Sequence, residues 1–260
     1  MQPRQYLSLA ILLLHAGIIR ARPADGEPVN TLTTGEQAAG WCLLWDGKTT
    51  TGWRTIGASE FPTNRWVIRD GVLSVRPNPK AESELGLDLV TTAKYSDFEF
   101  QLDFQLTPGA NSGVKYFVRS NLDPATGKMI RAELTPAIGC EYQLLDDERH
   151  PDAKAGQAGN RKLGSLYDLI PAPTEKPLKP VGEWNTARIV VHGRHVEHWL
   201  NGVKLLAYER ATPAFHELVA RSKFKNVPGF GDWPDGHILL QDHGGVVHYR
   251  NLKIRSLQRE

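Results

Sequence analysis

The nine residues Phe98 to Leu106, FEFQLDFQL, alternate strictly between apolar and polar. A two-residue period places Phe98, Phe100, Leu102, Phe104 and Leu106 on one face and Glu99, Gln101, Asp103 and Gln105 on the other. No helix can segregate them so cleanly. A strand with one apolar and one polar face belongs to an antiparallel sheet covered on one side only. Its apolar row needs a second apolar layer, so the chain is constrained towards a sandwich or barrel.

Other segments agree. Trp66 to Ile68 and Val72 to Val75 flank Asp70-Gly71, a two-residue hairpin turn. Pro108-Gly109 leads into Gly113 to Arg119. Ala187 to Val191 and Val196 to Leu200 flank Gly193-Arg194, Asn201-Gly202 turns into Val203 to Tyr208, and Gly244-Gly245 separates His237 to Asp242 from Val246 to Ile254. Some ten or eleven strands joined by hairpins predict an all-β, two-sheet antiparallel jelly-roll sandwich. Residues 212–223 read as one short helix, capped by Thr212 with Pro213 at its first position. Residues 147–183 read as a long loop rich in Gly, Pro, Lys and Asn, a length that is usually functional or disordered.

The 260 residues, 40% hydrophobic and 23% charged, suit one large β domain. The formal charge is +2, but residues 1–24 hold three arginines and no acid, which leaves −1 on the remainder. That balance gives no electrostatic reason to expect nucleic acid. Arg4, the apolar run Leu7 to Ile19, and Ala21 and Ala24 have the form of an export signal, too short for a comfortable membrane span. The expectations are a signal peptide over 1–24, a flexible lead-in over 25–40, a domain over 41–257, and delivery to the periplasm or beyond with no integral membrane segment after cleavage. An exported chain permits a Cys42–Cys140 disulfide; two buried free thiols in the apolar contexts WCLLW and IGCEY are the favoured alternative.

The chemistry concentrates in GCEYQLLDDERHPDAK, residues 139–154. Glu141 and Gln143 share one strand face, and the strand opens into Asp146, Asp147, Glu148, His150 and Asp152. A pocket floor and rim have this composition, and so does a half-solvated strand with a polar loop. Strand parity aligns Gln241 with His243 and Lys115 with Phe117 and Arg119, and puts His198 on the side of Val196 and Leu200. If the sheet curves, Glu141, Gln143, His198, Gln241 and His243 share a concave face, with Lys115 or Asn111 at its edge. Amides, imidazoles, a carboxylate and the tryptophans Trp184, Trp199 and Trp233 suit a sugar. Asp146, Glu148, His150 and Asp152 are hard ligands for a divalent cation, or solvated acids. No G-x-S-x-G, P-loop, H-E-x-x-H or C-x-x-C occurs, and the closely alternating acids of a sandwich glucanase are missing.

Seven stretches resemble the 3-keto-disaccharide hydrolase family: LLWDGKTTTGW (43–53), WVIRDGVL (66–73), YSDFEFQLDFQLTPGANSGVKYFV (95–118), GCEYQLLDDERHPDAK (139–154), GSLYDLI (164–170), PVGEWNTARIVVHGRHVEHWLNG (180–202) and GHILLQDHGGVVHYRNLKI (236–254). The resemblance implies a concanavalin A-like fold and chemistry on a glycoside already oxidised at C3. Its ketone acidifies the C2 proton, a base removes it, the C1 substituent leaves, and water adds back. No nucleotide cofactor is then needed, and a bound cation or Lys115 would polarise the ketone. On family-matching positions, His198 or Glu141 would act as base or acid. Asn111, Gln143, Gln241 and His243 would hold hydroxyls, Asp147 and His150 would come from the loop, and Trp184 would form a wall. A lectin-like carbohydrate-binding domain without catalysis is the alternative, since the fold hosts both.

Overall fold

The computed structural model describes residues 28–78 and 87–258; the expected signal peptide lies outside them. In chain order the described strands are β1 (Cys42–Leu43), β2 (Trp53–Thr55), β3 (Trp66–Arg69), β4 (Val72–Val75), β5 (Leu89–Thr91), β6 (Phe98–Leu106), β7 (Asn111–Ser120), β8 (Ala137–Leu145), β9 (Asn185–His192), β10 (His195–Leu200), β11 (Val203–Glu209), β12 (His237–Leu240) and β13 (Val247–Ser256). They form two antiparallel sheets. One runs β11-β10-β9-β6-β13-β4-β3, with β1 also on β13; the other runs β2-β5-β12-β7-β8. The sandwich is as expected. The short strands β1, β2 and β5 are additional, and two or three residues are too few to show a period.

The alternating row of β6 faces the second sheet, where Phe98, Phe100, Leu102, Phe104 and Leu106 join one continuous core. Polar contacts also cross it. Ser112 Oγ lies 2.6 Å from the Tyr249 hydroxyl, which ties β7 to β13. The Tyr116 hydroxyl bonds both the Tyr208 hydroxyl at 2.7 Å and His198 Nε2 at 2.9 Å. Buried polar groups are tolerated when partnered in this way.

The described part of the lead-in, residues 28–40, holds a short helix and is bonded to β13. Asn30 is buried, takes a 2.6 Å bond from its own N–H to Asn251 Oδ1, and accepts from the Asn251 N–H at 2.8 Å. A first helix, α1 (Thr34–Ala38), is closed by a capping box between Thr33 and Glu36. Glu36 then ion-pairs with Lys253 on β13. The second helix, α2 (Pro213–Ala220), starts at Thr212 as expected and is shorter than predicted.

Both cysteines are free. Cys140 is buried, whereas Cys42 is exposed, so the expectation of two buried thiols holds for one of them. Burial pushes the Cys140 thiol up to about 12, which leaves it a small hydrophobe. Among the described residues, no helix is long and apolar enough to cross a membrane.

The 147–183 segment is ordered on β8. The Gly164 N–H donates to the Gln143 carbonyl at 2.9 Å, and the Tyr167 N–H donates to the Glu141 carbonyl at 3.0 Å. These bonds cover the outer edge of β8, which would otherwise be a template for another strand.

Candidate active site

The outer face of the five-stranded sheet carries two polar rows. Ladder register aligns Val90, Leu239, Lys115 and Glu141 across β5, β12, β7 and β8. The Gln241 N–H donates to the Gly113 carbonyl at 2.9 Å, and Gly113 faces Gln143. Asn111, Lys115, Glu141, Gln143 and Gln241 are therefore brought together, all buried, because every second residue of a strand shares a face.

Lys115 and Glu141 sit directly opposite each other. Lys115 Nζ donates to Thr135 Oγ1 and to the Ala137 carbonyl, both at a long 3.3 Å. An ammonium has three donors, and these two neutral partners leave it one more. The Glu141 carboxylate folds over Gly113. A Cβ at that position would lie 2.0 Å from Glu141 Oε1, so the glycine provides the space the carboxylate occupies. With its amide nitrogen turned towards acceptors, Gln143 donates to Glu141 Oε1 at 3.3 Å and to the Ser112 carbonyl at 3.1 Å. We expect Gly113→Ala to displace the carboxylate and lower kcat/KM about a hundredfold with little change in melting temperature. An unchanged kcat/KM would show that the carboxylate's position is immaterial.

Lys115 and Glu141 line a cavity of about 200 Å³ with Glu133, Thr135, Lys223 and Phe224. Two titratable neighbours were not anticipated from the sequence. Burial pushes the Asp88 carboxyl up to about 6, the Lys115 ammonium pulls it back, and Asp242 and Glu141 push it up further. Asp88 accepts the Asp242 N–H at 2.8 Å. Its only sequence signal is position: it directly precedes the apolar strand β5 and shares parity with Val90. Lys223 follows α2, and nothing in the local pattern marks it.

Three expected site residues lie elsewhere. His198 does share a side with Val196 and Leu200, but that side faces the inter-sheet core, and the residue is 0% exposed. Its Nδ1 lies 3.0 Å from the Gly164 carbonyl, and its partners are core groups, not the groove. β10 belongs to the other sheet, which parity alone cannot reveal. Trp184 stacks under Arg250 at 4.1 Å on the polar face of the eight-stranded sheet, so it does not wall this groove; Trp199 stacks with Arg188 at 4.2 Å on that same face. Asp147 fastens the long loop, accepting from the Leu163 N–H and from Lys176 Nζ, each at 2.7 Å.

His150 and His243 are brought together, their rings 6.2 Å apart and perpendicular. The loop acids do not converge. Asp146 accepts from the Gly109, Glu148 and Arg149 N–H groups, Asp152 binds Arg161 and the Tyr167 hydroxyl, and Glu148 is exposed. Burial works against ionisation of Asp146, but the Gly109 N–H and Arg149 outweigh it and hold the carboxyl below its ordinary value. Among the described residues, no group of three or more His, Cys, Asp or Glu side chains is placed to hold a metal ion.

A family model for the 3-keto-alpha-glucoside-1,2-lyase-like domain matches residues 40–255. The chain belongs to this family. The lyase-like domain spans both sheets and all the residues of the groove. A relative named 3-keto-disaccharide hydrolase, from Bacteroides thetaiotaomicron, is 34% identical over 236 residues, covering 85% of this chain and 79% of the relative. A solved structure from Parabacteroides distasonis, described as a candidate glycosyl hydrolase, is 30% identical with a TM-score of 0.73, covering 89% of this chain and all of that one. A second such structure from the same organism is 26% identical with a TM-score of 0.52, covering 79% of this chain and 99% of that one.

Proposed function

We propose that the protein is an exported enzyme that cleaves 3-keto-glycosides or 3-keto-disaccharides by C2 proton abstraction, elimination at C1 and hydration. The observation that carries this reading is the Lys115–Glu141 pair, a buried cation and a buried carboxylate set opposite each other in one cavity. The family's lyase-like description and the relative's hydrolase name agree with it, since elimination followed by hydration is net hydrolysis. The apolar run from Leu7 to Ile19 supports export.

The chemistry follows from the charges. A ketone at C3 lets the C2–H bond ionise because the electron pair can move onto the ketone oxygen. Glu141 takes that proton, and the Lys115 ammonium stabilises the enolate oxygen through its remaining donor. A buried cation does this strongly because little water screens it. The enolate pair then forms a C1–C2 double bond as the C1–O bond breaks. Water adds at C1, and Glu141, its proton by then exchanged with solvent, protonates C2. Asn111, Gln143 and Gln241 offer amides to the sugar hydroxyls, with His150 and His243 at the end of the row.

Incubating the protein with methyl 3-keto-glucoside and 3-keto-trehalose, and with their unoxidised counterparts, tests the function. Release of methanol or sugar from the keto compounds alone is expected. Release from the unoxidised sugars alone would point to an ordinary glycosidase, and release from neither set would refute the reading. Repeating the assay with chelator asks whether a divalent cation assists Lys115.

A further inference from the structure

Elimination at C1 needs one group that Lys115 and Glu141 do not supply, a proton donor for the departing oxygen. We propose that Lys223 is that donor, an assignment that rests on the function proposed above. Lys223 enters the cavity from outside the sheet, on the turn after α2, whereas Lys115 and Glu141 form part of the sheet lining the same cavity. A ligand held there meets the base from one element and the donor from another.

The surroundings of Lys223 suit the task. Its Nζ lies 4.2 Å over the Tyr167 ring and 5.1 Å over the Phe224 ring. Among the described residues, aromatic faces rather than a paired carboxylate hold the ammonium, so its protons stay available. Its backbone is fixed, because the Lys223 N–H donates to Asp168 Oδ2 at 2.8 Å. Asp168 in turn binds Arg161 Nε at 2.7 Å and has a left-handed backbone, φ 63°. Arg161 covers the Tyr167 ring with its guanidinium carbon 5.4 Å from the centroid. These bonds fix the backbone from which the Lys223 side chain projects over Tyr167.

The groups facing Lys223 are Glu141, Lys115, Asp168 and Arg161, with Tyr167 and Phe224 against it and Glu133 on the cavity wall. Lys223 is exposed to solvent as a residue, yet the protein packed around its ammonium end disfavours the charge. That local desolvation lowers the ammonium to about 8; Glu141 and Asp168 oppose the fall, while Lys115 and Arg161 add to it. A lysine so poised is charged at neutral pH and gives its proton up more readily than a free one.

The step balances. As the enolate pair forms the C1–C2 double bond, the C1–O electrons go to the aglycone oxygen, which takes a proton from Lys223. The neutral amine then accepts a proton from the water that adds at C1, which restores the ammonium.

Leaving-group dependence tests the assignment. For Lys223→Met and Lys223→Arg, we expect kcat/KM on methyl 3-keto-glucoside to fall about a hundredfold or more. On the 4-nitrophenyl 3-keto-glucoside, whose phenolate leaves without help, the loss should be only a few-fold. Arginine keeps the charge but cannot release its proton, so Lys223→Arg should rescue nothing. The alkaline limb of the wild-type profile near pH 8 on the methyl substrate should be absent from the nitrophenyl profile. Equal losses on both substrates, no loss on either, or rescue by arginine would overturn the assignment. A wild-type protein that cleaves neither keto-glycoside would instead overturn the function on which it rests.

Discussion

Glu141→Gln is expected to remove at least about a thousandfold of the activity on 3-keto-glycosides while the protein stays folded. Glutamine keeps the shape of the side chain and its contact with Gln143, but it cannot accept the C2 proton. Lys115→Met should act on the same step from the other side, lowering kcat about a hundredfold or more by leaving the enolate oxygen without its cation. Lys115 and Glu141 face each other across one ladder position, so the double variant should lose much less than the product of the two single losses. Multiplying losses would mean the two groups serve different steps. Circular dichroism and a melting curve on each variant separate lost chemistry from lost fold.

His198→Ala is expected to lose stability rather than chemistry. The side chain is fully buried among Tyr116, Tyr142 and Tyr208. Its removal leaves a cavity and deprives the Tyr116 hydroxyl and the Gly164 carbonyl of a partner. The combined cost is about 3 kcal/mol, or roughly 10 °C in Tm for a domain of this size. The pH dependence has a definite sign. Burial lowers the imidazole to about 4, against the opposing bond to Gly164. Since the unfolded chain titrates near the usual 6.5, it binds a proton that the native state refuses. The contribution is therefore full above pH 6.5 and is lost as pH falls towards 4. Asp88, raised to about 6, works in the opposite direction over an overlapping range, so the comparison must be between wild type and His198→Gln. The wild type should lose on the order of 3 kcal/mol more than the variant between pH 6.5 and pH 4. Equal acid dependence in the two proteins would show that His198 is not held neutral.

The groove floor was legible in the sequence because it depends on parity within strands. Glu141 with Gln143 and Lys115 lie on strands long enough to show a period, their facing rows follow from antiparallel pairing, and Gln241 directly follows β12 and bonds the Gly113 carbonyl. The assignment of strands to sheets was not legible. His198 and Trp184 have their stated neighbours, yet β10, and β9 that Trp184 directly precedes, belong to the other sheet. Parity gives a side relative to adjacent residues and says nothing about which layer that side meets. The long loop was visible as a segment, but Asp147 fastens it instead of lining the cavity. Lys223 and Asp88 were missed because each acquires its role from residues far away in the chain. The folded lead-in did carry a signal, the T-x-x-E capping box at Thr33 to Glu36, in a stretch whose polar composition suggested a flexible tail.

Hydrolysis in heavy water reads out directly whether Glu141 removes a proton from C2 beside the Lys115 ammonium. Methyl 3-keto-glucoside would be cleaved in D2O, and the ketosugar product examined by proton NMR at early times against a buffer-only control. Elimination and hydration must place a solvent deuteron at C2, so loss of the C2 proton signal at the rate of methanol release is expected, with both abolished in Glu141→Gln. Product formed with its C2 proton retained, or exchange and release both undiminished in Glu141→Gln, would contradict the mechanism.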